Sequence, residues 1–175
     1  ADRLADWRAA GLDEWRDAFC ALWPECAPLL DSITDPAQLT FAHYAHRTLA
    51  NPVADRMIHL GDAWHSTSPH LGQGANMALL DAWALAQGLA AEDDMDVALR
   101  HAVALRSFHV GLYQGISRVF TPVYQSDSAI LPWLRDRLVR PLAAFRPTGA
   151  TQAAMVSGTF GNPLAPLGLA EMAPR

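Results

Sequence analysis

Gly61-Asp62-Ala63-Trp64-His65-Ser66-Thr67-Ser68-Pro69-His70-Leu71-Gly72-Gln73-Gly74-Ala75-Asn76 lies between a short apolar run, Met57 to Leu60, and a long alanine-rich one, Ala75 to Ala90. The first run, ending at Gly61, reads as a buried strand feeding a loop. The second is interrupted only by Asn76, Asp81, Gln87 and Gly88, so it reads as a helix buried on most sides. This order puts a carboxylate, Asp62, at a strand end and a glycine-lined run of free backbone N–H groups at a helix start. First-turn donors have no intrahelical partner and the helix dipole reinforces them, so this end favours anionic or electron-rich groups. Gly72 and Gly74 let a planar ligand reach the main chain with no Cβ in the way. A polyhydroxylated cofactor with an electron-rich ring suits both ends.

Upstream of the loop, Leu12, Trp15 and Phe19 recur at helical steps and predict an amphipathic helix that Pro24 ends or follows with a new one. Leu29, Leu30 and Ile33 fit a short second helix terminated by Asp35-Pro36. The thread Leu39 to Leu49 is rich in β-branched and aromatic residues and carries no cap, so it is expected to form a strand. Downstream, Glu92-Asp93-Asp94 gives a long helix an acidic start. Its expected core stripe is Leu105, Phe108, Leu112, Ile116 and Val119, ending near Thr121-Pro122. Asp127 or Ser128 could cap a further helix through Leu131, Trp133, Leu134 and Leu138, ended or kinked by Pro141. The tail after Gly158 lacks periodicity and is expected to be extended or poorly ordered. The fold class expected is mainly α with a small β element, two or three short strands in the first third.

The chain has 175 residues, 51% hydrophobic, with a formal net charge of -5. All 13 basic residues are arginine, which excludes Walker-type phosphate binding and Schiff-base chemistry, both of which need lysine. The acidic balance without an arginine-rich helix argues against a nucleic-acid surface. No apolar stretch approaches the roughly 20 residues a bilayer span requires, so no membrane association is expected and the cytoplasm is the default compartment. Cys20 and Cys26 are expected to be reduced and partly buried, and no metal site is expected. No G-x-S-x-G occurs, which removes a serine-hydrolase reading. His65 and His70 read as hydrogen-bonded rather than ligating, and Arg100 and Arg106 as solvated or salt-bridged at the surface.

Gly61-Asp62-Ala63, His65, Pro69, Gly72-Gln73-Gly74, Asn76, Asp81-Ala82 and Leu85-Ala86 together resemble the second FAD-binding motif of the flavoprotein aromatic hydroxylases, the family of para-hydroxybenzoate hydroxylase. The resemblance implies FAD as cofactor, NAD(P)H as electron donor and hydroxylation of a small aromatic substrate. It implies that Asp62 accepts a hydrogen bond from a ribityl hydroxyl and that Pro69 lies beside the flavin ring. The run Gly72, Gln73, Gly74, Ala75 and Asn76 then faces the flavin's pyrimidine edge through its backbone, and Asp81 fixes the helix rather than touching the cofactor. No side chain stands out as a catalytic acid or base. Phe41 and Tyr44 are candidates for a substrate pocket. The sequence departs from the family pattern at Trp64, where a small residue is usual.

The family's G-x-G-x-x-G and its middle Asp-Gly motif do not occur in this sequence. With a start at Ala1, this leads to the expectation of a C-terminal fragment, inactive alone. In that reading residues 1–60 are the end of a substrate-binding domain, 61–92 the flavin-contacting loop and buried helix, and 93–175 a C-terminal helical region with a tail. Apolar surface on the helix after Gly74 leads to the expectation of a homodimer. The alternatives are another FAD-dependent oxidoreductase of the same fold (reductase, dehydrogenase or halogenase) and a stand-alone helical interaction module without flavin.

Overall fold

Leu12, Trp15 and Phe19 fall on one side of the second helix, where the Trp15 and Phe19 rings sit 5.7 Å apart. The computed structural model describes residues 2–126, 128, 130–143 and 146–169. These divide into two compact units, 1–43 and 44–175.

The first unit holds helices α1 (Asp2–Ala10), α2 (Asp13–Leu22) and α3 (Ala27–Leu30). Helix α1 was not legible as a helix, because its apolar residues follow no helical stripe. Gly11, at φ +83, separates it from α2. Trp23 leaves the helical region and Pro24 opens a 3-10 turn, Pro24–Cys26, so proline punctuates the chain as expected. Asp35 caps another such turn: its carboxylate accepts from the Ala37 N–H at 2.7 Å while Gln38 accepts from the Asp35 N–H at 2.9 Å. Cys20 and Cys26 are free and half-buried.

In the second unit the strand expected over Leu39–Leu49 contracts to β1 (Arg47–Thr48), which bridges antiparallel to Ser66 and His65. The residues before it lie in no regular element, because no neighbouring strand offers them a ladder. Strands β2 (Val53–Ala54) and β3 (Met57–Ile58) pair antiparallel, Val53 opposite Ile58 and Ala54 opposite Met57. Met57 is half exposed, so the strand before Gly61 is one arm of a hairpin with an uncovered face, not a buried strand.

A single turn, α4 (Asp62–His65), leads through a 3-10 turn at Pro69–Leu71 to α5 (Gly74–Ala91), and α5 packs along α6 (Met95–Gln125). Helix α5 buries one stripe, Met77, Leu80, Asp81, Ala84 and Gly88, while Leu79 and Trp83 are exposed, which corrects the expectation of burial on most sides. Asp94 caps α6 by accepting from the Val97 N–H at 2.9 Å. The buried face of α6 is Ala98, Leu99, Ala102, Arg106, His109, Val110, Tyr113, Gln114 and Ser117, and Phe108 and Val119 of the expected stripe point to solvent. The apolar periodicity misled because the inward face carries polar groups that meet partners on α5 and the loop before it. Pro122 forfeits one N–H near the end of α6, which continues to Gln125.

Ser128 accepts from the Ile130 and Leu131 N–H groups at 3.2 Å and caps α7 (Ile130–Ala143), while Asp127 lies outside the described residues. Helix α7 passes through Pro141 rather than ending at it, forfeiting the one N–H that proline lacks. Helix α8 (Arg146–Val156) had no periodic signal, and the segment after it, through Leu169, folds into successive turns rather than running extended. Its anchor is Leu167, 1% exposed against Leu80 and Ala84, whose carbonyl accepts from Trp83 Nε1 at 3.1 Å and Gln87 Nε2 at 3.2 Å. A second cluster gathers Trp64, Met77, Val110 and Tyr113. Among the described residues no helix is long and apolar enough to cross a membrane.

The α5–α6 contact is backbone-close at Gly88, where a Cβ would collide with the Ala98 carbonyl and lie 3.3 Å from the Ala102 nitrogen. Intrinsic propensity favours alanine over glycine in a helix by roughly 1 kcal/mol. At this position the sign should reverse: G88A is expected to destabilise the chain by about 1–3 kcal/mol in urea denaturation. A more stable variant would show that the two helices separate easily.

Candidate functional site

Gly61 sits at φ +55, a conformation glycine adopts freely, and a Cβ there would stand 3.1 Å from the Ala78 side chain. Its N–H donates to Asp81 Oδ2 at 2.9 Å across twenty residues of sequence. The same oxygen accepts from His65 Nε2 at 2.6 Å, and Oδ1 accepts from Arg106 Nε at 2.8 Å. One carboxylate, 1% exposed, thereby ties the two ends of α4 to α5 and α6. Burial alone would raise the Asp81 pKa, but the hydrogen bonds from His65, Arg106 and Gly61 outweigh it and hold the carboxyl below its ordinary value. Asp81 therefore fixes the helix, in the role read from the sequence.

Arg106 is 1% exposed, contrary to the expected surface position, because Asp81 compensates its charge in the interior. Its Nη1 donates to His109 Nδ1 at 2.8 Å and its Nη2 lies 3.4 Å from Met77 Sδ. With Nδ1 accepting, the neutral imidazole of His109 carries its proton on Nε2. Burial, the Arg106 charge and His65 push the His109 pKa down to about 4, against a smaller pull from Asp81 and the Gly158 carbonyl. Arg100, by contrast, is exposed.

The loop between α4 and α5 is held by its hydroxyl residues. Ser66 Oγ donates to the Ala45 carbonyl at 3.0 Å, Thr67 Oγ1 lies 3.1 Å from His46 Nδ1 and 2.6 Å from Ser117 Oγ, and His70 Nδ1 lies 3.0 Å from Ser68 Oγ. His46 Nε2 meets Thr121 Oγ1 at 2.9 Å. Trp64 departs from the family pattern by turning its indole into the core with Met77, Val110 and Tyr113.

Asp62, Pro69, Gly72, Gly74 and Ala75 are exposed, Asn76 is half-buried and Gln73 is buried. The Gln73 amide is engaged: its Nε2 donates to the Val156 carbonyl and its Oε1 accepts from Asn76 Nδ2 at 2.9 Å. What this run leaves free is main chain. Helix α5 has no side-chain cap, and a Cβ added at Gly72 or Gly74 would meet nothing within 4 Å. Asp62, for which no described side chain supplies a hydrogen bond, borders a cavity of about 20 Å³ with His65, Thr67, Gln73, Gly74 and Gln114. Gln114 Oε1 has no hydrogen-bond partner among the described residues. Asp62 also borders a wider cleft of about 360 Å³ with Arg47, His59, Trp64 and Ser66. A hydroxyl-accepting carboxylate and an uncapped, unobstructed helix start fit the ring end of FAD at two points. The small cavity cannot admit a ring, so a ring would meet this loop from its open side. Phe41 lines a separate cleft within the first unit and Tyr44 does not.

The buried polar partners on α6 were missed by the sequence reading. Their signal was present as Arg106, His109, Tyr113, Ser117 and Thr121, spaced three or four apart along an otherwise apolar helix.

Residues 13–94 match the FAD binding domain family. The chain is 31% identical over 100 residues to the aurachin C monooxygenase/isomerase of Stigmatella aurantiaca, covering 57% of this chain and 26% of that protein. It is 38% identical over 110 residues to the FAD-dependent monooxygenase SAT7 of Stachybotrys chartarum, covering 62% and 20%. It is 49% identical over 61 residues to the FAD-dependent monooxygenase notI' of Aspergillus versicolor, covering 34% and 14%. The chain spans about a quarter or less of the length of the curated relatives it matches. Residues 13–94 are thus similar to an FAD binding domain, and two of these relatives carry the name FAD-dependent monooxygenase, in line with the resemblance read between Gly61 and Ala86.

Two outcomes follow from the buried network. D81N leaves Arg106 charged and unpaired in the interior, which is expected to cost about 3–5 kcal/mol in chemical denaturation, whereas R100Q stays within about 0.5 kcal/mol. His109 titrates near 6.5 when unfolded and at about 4 when folded. Between those values the unfolded chain binds a proton that the folded chain refuses, so stability is full above pH 6.5 and falls toward pH 4, by on the order of 2–3 kcal/mol. Asp81 acts lower, its contribution being lost below the unfolded carboxylate value of about 3.9, as pH falls through its folded pKa. Melting curves of H109Q should lose most of the fall between pH 6.5 and 4, keeping the smaller part owed to His70, whose pKa burial also lowers, and still collapse below it.

Proposed function

We propose that the chain supplies the flavin-ring half of an FAD-dependent monooxygenase that hydroxylates a small aromatic substrate at the expense of NAD(P)H. The observation that carries the reading is the pairing of the exposed Asp62 carboxylate with the uncapped start of α5, both anchored through Asp81. Bound FAD would supply the electron transfer and oxygen activation.

The chain's own residues bind and orient. Asp62 accepts hydrogen bonds from cofactor hydroxyls. The N–H groups of Gly74, Ala75 and Asn76 present positive partial charge, reinforced by the eighteen-residue helix behind them, and favour negative charge on the ring edge. Gln73 and Asn76 contribute main chain, since their side chains hold each other and Val156. Pro69 offers a rigid apolar wall, and Trp64 with its cluster closes the core behind the loop against water. The 175 residues contain no G-x-G-x-x-G to serve the ADP half of the cofactor, and the same reading carries a cytoplasmic location and a homodimer.

Flavin fluorescence quenching tests this directly. Because the ring half alone is present, riboflavin and FAD are expected to bind the chain weakly and within about threefold of each other, and D62A should weaken both by roughly tenfold. FAD binding far tighter than riboflavin would overturn the assignment of half a site. Quenching by neither would favour the helical interaction module. Light scattering is expected to show a dimer, dissociated by a charge at the exposed Leu79.

A further inference from the structure

The first unit holds an open cleft of about 650 Å³ lined by Arg3 and Trp7 of α1, Trp15 of α2, and Leu39, Thr40 and Phe41. We infer that this cleft is a binding site for a planar aromatic anion of two or three fused rings. The inference is independent of the flavin reading, and every residue on which it rests lies in the first 43.

Size and surface come first. The volume lies within the few hundred to about 1,000 Å³ typical of small-molecule sites. Trp7 and Trp15 are only half-buried and Phe41 is 63% exposed, so three aromatic side chains converge on space that the unit's own core does not fill. Aromatic surface of this kind is matched by a flat ring system, which stacks or packs edge-to-face at little entropic cost.

Charge decides the rest. The first 43 residues contain three arginines against eight carboxylates, so they carry the whole of the chain's formal net charge of -5. In so acidic a segment the cleft is nevertheless lined by an arginine and by no carboxylate. Among the described residues no ion pair engages Arg3. A guanidinium beside aromatic faces, with no ion pair among the described residues, suits a carboxylate or sulfonate borne on a ring, because its planar fork donates to two oxygens at once. The surrounding acidity would repel a simple anion that gains nothing from the rings. Thr40 adds one hydroxyl that can donate to the same group.

The test uses the full chain and four probes: 2-naphthoate, its neutral analogue 2-naphthamide, cyclohexanecarboxylate and 2-naphthylmethylammonium. The six tryptophan indole N–H resonances of the nitrogen-15-labelled protein report where each binds. With 2-naphthoate, saturable shifts are expected at Trp7 and Trp15, with Trp23, Trp64, Trp83 and Trp133 unmoved. Arg3 is exposed, so R3Q should fold normally, and it should weaken 2-naphthoate by about three- to tenfold while leaving 2-naphthamide unchanged. W7F, whose retained fold is verified by the other five indole signals, should weaken both naphthalene probes. The proposal fails if the shifts spread over all six indoles, if R3Q binds 2-naphthoate undiminished, or if cyclohexanecarboxylate or the ammonium probe binds as tightly. Absence of any shift at millimolar probe overturns it as well, and none of these outcomes depends on whether flavin binds.

Discussion

The carboxylate of Asp81 is buried to 1% and holds three donors from three different places in the chain: the Gly61 N–H, the His65 imidazole and the Arg106 guanidinium. A lone carboxylate in such a setting would be prohibitively costly, and what makes it tolerable is that both oxygens are satisfied and a cation faces it. The consequence reaches outward. Gly61 is held at a backbone conformation that presents Asp62 to the surface, His65 is held inward so that α4 makes one turn and no more, and α5 and α6 are held face to face. The exposed groups of the loop are thus set by a carboxylate that is itself buried.

The interior of the second unit is correspondingly unusual in what it spends on polarity. Helix α6 faces inward with Arg106, His109, Gln114 and Ser117 among its buried residues, while Phe108 and Val119 remain in solvent. The energetic return lies in specificity of position: a hydrogen-bonded network admits one arrangement where an apolar interface would admit several. The same network makes the unit sensitive to acid, since His109 is kept neutral by Arg106 and burial.

Much of the candidate site was legible from residues 61–76. Glycine, aspartate and proline at those spacings permit few backbone paths, and the alanine-rich run behind them could only be a helix. The exposure of Asp62, Pro69, Gly72, Gly74 and Ala75 agrees with a surface-facing loop, and Asp81 takes the structural part expected of it. The failures have a common origin. The strand over Leu39–Leu49, the burial of Met57 and the core stripe on α6 were inferred from local pattern, whereas pairing and burial depend on whether a distant partner is present. The residues of β1 found only Ser66 and His65 to bridge, and the segment after Gly158 found a place for Leu167 against α5.

Sequence by itself determined the helical break at Pro24, the acidic start of α6 at Glu92-Asp93-Asp94, the small and polar composition of the loop from Gly61 to Asn76, and the likeness to FAD-dependent monooxygenases. These depend on conformational preference and on the identity of side chains, both of which are local. Tertiary structure alone decided that Arg106 pairs inside rather than at the surface and that Gln73 and Asn76 are committed to each other and to Val156. It also decided that Trp7, Trp15 and Phe41 share one cleft with Arg3. Each of these includes a meeting of groups far apart in the chain, Arg106 with Asp81, Gln73 with Val156 and Phe41 with Trp7, and the energy of a buried charge or an uncovered ring is defined only by what stands next to it.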